Sequence, residues 1–305
     1  MDAAMKPSPS KGKKRQRQET AAAYLFLAPS LIAFVAFILI PLVLVVYLSF
    51  TKYNVIQPPV LNDYKNWIRL TLDKKAWISL GNSFRFLVLL VPMHVIASML
   101  LALGVNALRS KLCAYTFRTI FYFPTLLAAS SVAMAWKFIL STDFGILNYY
   151  LGLLGIPQIP WLNSSFWVYP AVMIFSLWKF VGSYFLYIYI GLRGIDRTYM
   201  EAAEIDGAGP CKKFWHITLP LISPTLFFVF ITSMISTVQI FTEPYMLTGG
   251  GPGNASRTLS LYIYETAYGS QNYGYASALA LCFLAIVLVM TLLQFKNSSW
   301  VNYDR

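Results

Sequence analysis

Residues 24–50 run for 27 positions without one charged side chain. The run is too long for the apolar core of a secretory signal, about 7 to 15 residues, and exceeds the about 20 residues that carry an α-helix across the hydrocarbon of a bilayer. Because backbone groups in lipid must find their partners within their own segment, it predicts a transmembrane helix, kinked near Pro29 or Pro41. Five more spans are expected at about 84–108, 115–140, 166–192, 221–242 and 273–295. Composition agrees: 57% of the 305 residues are hydrophobic and 12% charged, against roughly a quarter charged in soluble proteins. The expectation is an all-α integral membrane protein of six transmembrane helices, multi-pass in the cell (plasma or inner) membrane.

The net charge of +12 does not describe a nucleic-acid surface, since the 24 Lys and Arg form no single face and no groove-reading motif. They follow the connecting segments instead. Fifteen fall in the segments 1–20, 109–118, 193–213 and 296–305, while five cluster at 52–75. The positive-inside bias assigns the first group to the cytoplasm and with it both termini. The chain thus divides into a disordered basic tail at 1–20, a membrane domain at 21–297 and a short tail at 298–305. Cys113, Cys211 and Cys282 have no CxxC spacing and no histidine cluster nearby, so no disulfide framework or metal site follows. Gly12 with Lys13 is the one Gly-Lys pair, and it lacks the earlier glycine and following hydroxyl of a phosphate-cradling loop. Energy for any transport must come from a partner.

The longest polar interruption in the second half, 193–220, reads EAAEIDGAGPCKKFWHITLP over positions 201–220. Charges and small residues at helical spacing predict a short surface helix, then a turn at Gly207, Gly209 and Pro210, then a second amphipathic segment ending at Pro220. Any connector between helices obeys those rules. The arrangement nevertheless resembles the EAA loop of the membrane subunits of binding-protein-dependent ABC importers. Glu201, Ala202 and Ala203 are followed by Gly207, then by Ile217, Leu219 and Pro220 at the family's spacing, with Asp206 and Ala208 completing its DGA.

That resemblance implies a type I ABC importer permease architecture in which Glu201, Ala202, Ala203, Asp206, Gly207 and Ala208 couple to an ATPase. It also implies the partners: a second homologous permease in a heterodimer, two copies of a cytoplasmic ATPase subunit that hold the ATP and Mg, and an extracellular solute-binding protein. This chain would itself be no enzyme and bind no cofactor. Small Ala202 and Ala203 suit close approach to a partner surface, and Glu201 and Asp206 offer acceptors to basic groups there.

Polar residues recur inside two spans flanking this loop. Ser176, Lys179 and Ser183 stand at i, i+3 and i+7 with Phe180 beside them, and Ser233, Ser236 and Thr237 at i, i+3 and i+4. Taken singly, such hydroxyls also serve as packing contacts between membrane helices. Lys179 is different, since a charge near mid-span costs several kcal/mol unless it meets a wet cavity or a partner. In the family these helices line the translocation cavity, so all seven residues are expected to face substrate. Hydroxyls, a cation and an aromatic ring suit a sugar. His94, with no second ligand in sight, reads as a buried, hydrogen-bonded histidine, and Glu243 as an exposed charge at a helix end.

The segment TEPYMLTGGGPGNASRTL at 242–259 resembles an external loop of sugar permeases of the maltose and glycerol-3-phosphate type. The resemblance implies that Gly249, Gly250, Gly251 and Pro252 dock the binding protein, while a turn-rich loop would need the same glycines. Two other classes compete with an importer. An ion-coupled secondary carrier would need coupling-ion groups, yet the central portions of spans one, two, five and six lack Asp, Glu, Lys and Arg. A membrane scaffold or sensor would use the loop for docking alone.

Overall fold

The computed structural model describes residues 9–296 and residue 301. Four helices are long and apolar enough to cross a membrane, and two bent helix pairs raise the number to as many as six. Helix α1 (Gln18–Ser49) is followed by a small antiparallel pair, β1 (Thr51–Lys52) and β2 (Val60–Leu61), with Thr51 opposite Leu61. Next come α2 (Lys65–Leu72), α3 (Lys74–Asn106), α4 (Lys111–Leu126), α5 (Ala129–Ile139) and α6 (Ile146–Leu153). The second half holds α7 (Val168–Arg193), α8 (Arg197–Ile205), α9 (Pro210–Leu221), α10 (Ser223–Val238), α11 (Thr242–Thr248), α12 (Leu259–Tyr264) and α13 (Tyr273–Lys296).

Helix α7 is the centre of the bundle, packed by α3, α4 and α10, while α1 lies against α13. Ala102, Phe185, Ile188, Ile222 and Val229 close the main apolar cluster between α3, α7 and α10. Lipid is as apolar as these side chains, so close packing rather than water exclusion must hold such helices together. Gly182 makes that possible: a Cβ there would lie 1.9 Å from the Phe121 carbonyl oxygen, so α7 and α4 meet backbone to backbone. At the start of α3, Asp73 caps the helix by accepting from the Lys75 and Ala76 N–H groups and also receives the hydroxyls of Tyr262 (2.6 Å) and Tyr275 (2.7 Å). One carboxylate thereby ties three helices at one end of the bundle. Asn66 does similar work nearby, donating to the carbonyls of Ser49 (2.9 Å) and Thr51 (2.8 Å).

Several expected boundaries shift. The span expected at 115–140 is two helices, α4 and α5, bent by 99°. Leu127 and Ala128 are extended between them, soon after Pro124, and the Nζ of Lys179 donates to the Leu127 carbonyl and to that of Pro124, which also accepts the Leu127 N–H. The span expected at 221–242 begins with α9, turns 67° at Ile222 and ends at Val238; Pro224 opens the new helix in its first turn. The Thr258 hydroxyl donates to the buried Ile240 carbonyl at 2.7 Å, which makes the early stop tolerable. The second span starts earlier than expected, at Lys74. Part of the tail expected to be disordered, from Pro9 onward, is helical and continuous with the first span. Its Lys, Arg, Gln and Ala residues propagate an already nucleated helix at little cost. Residues 1–8 and all of the tail at 298–305 except Val301 lie outside the described residues.

Candidate functional site

Helix α8 is defined at both ends by its own sequence. Asp196 caps it, accepting from the Thr198 N–H at 3.0 Å, and that bond holds the exposed carboxyl below its usual range. The other end is a Schellman turn: the Ala208 N–H reaches the Ala203 carbonyl (2.8 Å) and the Gly207 N–H the Glu204 carbonyl (3.0 Å). Gly207 occupies the left-handed position at φ 71°, and DGA is therefore the chemistry of a helix stop. Beyond it α9 begins at Pro210, and Lys213 Nζ returns to Glu204 at 2.6 Å. The helix, turn and second segment expected from the sequence are all present.

One face of α8 packs and the other does not. Ala203 is buried, whereas Thr198, Glu201, Ala202 and Ile205, at i, i+3, i+4 and i+7, are all exposed; Asp206 is exposed too, and Ala208 half-buried. Ile205 keeps 87% of its surface exposed. An apolar tip flanked by a carboxylate and a small residue has the make-up of a surface for another protein.

The polar stripe within the bundle divides in two. Ser176, Lys179, Ser233 and Thr237 are buried, each no more than 3% exposed. Lys179 does not point into open space. Its Nζ donates to the Pro124 (3.2 Å) and Leu127 (2.7 Å) carbonyls, and its own carbonyl accepts from the Thr125 hydroxyl at 3.0 Å. The ammonium also lies 5.6 Å from the Phe180 ring centroid and within electrostatic reach of Glu243. Ser233 bonds the Nδ1 of His94 at 3.1 Å, as expected for a buried histidine, and Tyr184 reaches both Ser233 and Ser236. Ser183 is half-buried and donates to Thr125 at 3.4 Å, Phe180 is half-buried, and Ser236 is exposed together with Gln239.

Glu243 corrects its expectation: it is 4% exposed, on α11, a helix packed against α5 and α7. Sequence placed it beside a span; only the return of α11 into the bundle buries it. The spacing of Ser176 and Lys179 was legible, but the partners of Lys179 come from the end of α4 and from α11, which no local pattern connects.

The glycine-rich loop is anchored from below. Gly249 and Gly250 take φ of 59° and 84°, and a Cβ on Gly250 would lie 3.1 Å from Leu261. Asn82 of α3 donates to the carbonyls of Asn254 (2.6 Å) and Arg257 (2.9 Å), and Ser256 to that of Gly251 (2.8 Å). Arg257 in turn pairs with Glu265 at 2.9 Å. Gly250 is buried, Gly249 exposed, and Gly251 and Pro252 half-buried, so the loop presents a held shape.

Residues 79–301 match the family model described as the binding-protein-dependent transport system inner membrane component. Over 296 residues the chain is 35% identical to the probable ABC transporter permease protein YesP of Bacillus subtilis, covering 94% of each chain. It is 32% identical over 271 residues to the sulfoquinovosyl glycerol transport system permease protein SmoG of Agrobacterium fabrum, covering 88% of this chain and 87% of that one. Among solved structures, a crystal structure of a bacterial ABC transporter involved in the import of the acidic polysaccharide alginate superposes with a TM-score of 0.82 at 23% identity, covering 93% of this chain and 97% of that one. That likeness concerns the fold.

Proposed function

This chain belongs to the family of binding-protein-dependent transport system inner membrane components, and from that membership we propose that it is the permease subunit of an ATP-driven importer that receives a carbohydrate from an external binding protein. The observation that carries the reading is the uncovered face of α8, held rigidly between α7 and α9. In this reading α8 lies on the cytoplasmic side, where a separate ATPase grips Glu201, Ala202 and Ile205. The chain then needs no nucleotide site of its own. Closure of an ATPase dimer would push α8, and α9 with the 67° joint to α10 would carry the push to the bundle and open the cavity outward. Hydrolysis would reset it.

The carbohydrate assignment rests on relatives named for such cargo, including the lactose transport system permease protein LacF of Rhizobium radiobacter at 32% identity. Phe180, Ser183 and Ser236 are the stripe residues with surface left for a sugar. Ser176, Ser233, Thr237 and Lys179 shape the wall behind them. A second permease subunit would complete the cavity, and Gly249, Gly251 and Pro252 would meet the binding protein.

The test uses the full complex in proteoliposomes. Glu201→Lys reverses the charge on the exposed face, and Gly207→Pro forces a φ near −65° on a residue at 71° while removing its N–H bond to Glu204. Each variant should insert normally while ATP turnover no longer drives uptake. Transport at the normal rate in either one overturns the docking role, and a cysteine at Ala202 that forms no crosslink to the ATPase does the same.

A further inference from the structure

Six aromatic rings stand in unbroken succession from the end of α10 to the first strand. Phe241 stacks on Tyr245 with centroids 5.3 Å apart and an interplanar angle of 16°. Tyr264 touches both, at 5.1 Å and 5.3 Å. The series continues from Tyr264 to Tyr268 at 5.0 Å, from Tyr268 to Tyr273 at 5.9 Å and from Tyr273 to Tyr53 at 6.0 Å.

These rings are not core. Tyr245, Tyr264 and Tyr268 are exposed, Tyr268 by 64%, and Phe241, Tyr273 and Tyr53 are half-buried. Phe241, Tyr245 and Tyr264 touch one another and Tyr268, Tyr273 and Tyr53 follow singly; large aromatics left at the surface in such a succession offer exposed ring area to something. At one end the line adjoins Gln239, exposed with Ser236 on the polar stripe; at the other it reaches the segment after α1, on the same end of the bundle as the glycine-rich loop. The six rings are neutral, and the exposed Lys52 stands beside Tyr53. Glu265, next to Tyr264 in sequence, is turned to Arg257 and Lys75.

We infer that the row from Tyr53 to Phe241 is a stacking track for a neutral oligosaccharide, guiding the chain from the outer surface toward Ser236. Flat apolar faces of successive sugar rings need successive aromatic faces at about the repeat of the saccharide, while phenolic hydroxyls bond at the rings' edges. A lipid-interface belt would distribute single aromatics around the perimeter at headgroup depth; here each ring touches the next along one path. Lys52 is exposed beside Tyr53, while Lys75 and Arg257 are paired with Glu265; one such cation is too little positive charge for a chain with a carboxylate on every sugar. The inference rests on the carbohydrate-importer reading above and adds to it the size and charge of the cargo.

The test measures uptake by the complete transporter in proteoliposomes for labelled neutral series (malto-, cello-, xylo-, arabino- and galacto-oligosaccharides) and acidic series (alginate and polygalacturonate), from di- to heptasaccharide. In the Tyr264→Leu/Tyr268→Leu double variant, uptake of the longer neutral members should fall roughly tenfold, with less effect on the disaccharide, as expected for two lost stacking contacts. Tyr264→Phe/Tyr268→Phe keeps the rings and should keep length dependence, which separates stacking from misfolding. Unchanged uptake at every length overturns the track in favour of an interfacial belt. Loss of assembly with the second permease overturns it in favour of a subunit interface. Equal loss at all lengths in both double variants also overturns it, and import of acidic chains alone overturns the neutral assignment. If the wild-type complex imports no carbohydrate of the panel, the parent reading falls and the track with it.

Discussion

Replacing Lys179 with methionine keeps an unbranched stem of similar length and deletes the charge, so it isolates what the ammonium does. Two bonds to the Pro124 and Leu127 carbonyls are lost at the 99° joint between α4 and α5. Hydrogen bonds to charged groups contribute about 1.5–3 kcal/mol each, and removing one partner from a buried charged cluster costs about 3–5 kcal/mol. Against this, polar contacts between membrane helices average only about 0.6 kcal/mol, because the unfolded chain in lipid finds other partners. The loss of lysine desolvation also offsets part of the penalty. The balance is a destabilisation of about 2–4 kcal/mol, concentrated at the joint, where the Leu127 carbonyl loses its donor and the Pro124 carbonyl keeps only the Leu127 N–H.

Equilibrium unfolding of the purified protein in mixed micelles measures the global term. The local term has a natural reporter: Trp136 on α5 packs on Trp178 and Phe175 of α7, with centroids 5.5 Å and 5.7 Å apart, and its fluorescence should shift as α5 loosens. Adding Glu243→Gln should recover about 1 kcal/mol, since the variant otherwise leaves a buried carboxylate without its cation. A Lys179→Met protein with wild-type stability and unchanged Trp136 emission, but altered transport affinity, would refute the reasoning and return Lys179 to the substrate path.

Gly182→Val should be more damaging than its conservative chemistry suggests. Its Cβ would stand 1.9 Å from the Phe121 carbonyl oxygen, so α4 must move off α7, at a cost of about 3 kcal/mol or more, seen as loss of monodisperse protein in detergent. Asp73 sets an acid limit on stability. Burial pushes its carboxyl up from 3.8, but bonds from Tyr262, Tyr275 and the Ala76 and Lys75 N–H groups outweigh that and hold it lower. Its contribution is therefore complete above about pH 4 and is lost as pH falls through the lowered folded value. In Asp73→Asn the unfolding midpoint should drop at neutral pH and lose that acid-side decline; a parallel decline in both proteins would remove Asp73 as its cause.

Residues 24–50 sufficed to place the chain in lipid, because backbone satisfaction in a bilayer leaves an uncharged run that long few alternatives. Helix α8 was equally legible: its cap at Asp196, its stop at Gly207 and the restart at Pro210 are local conformational preferences, and each is met in place. Tertiary structure decided the rest. Residues 115–140 read as one span with Arg118 and Lys137 toward its ends, and only Lys179, arriving from α7, explains why a 99° bend can be tolerated inside them. Glu243 is buried, not exposed, because α11 folds back beside α5, and the aromatic row exists only because segments around positions 53, 241, 264 and 273 converge. Spacing within one helix records which side chains share a face; it carries no information about what another helix brings to that face, and in a bundle held by packing that second fact determines which polar groups are structure and which remain for cargo.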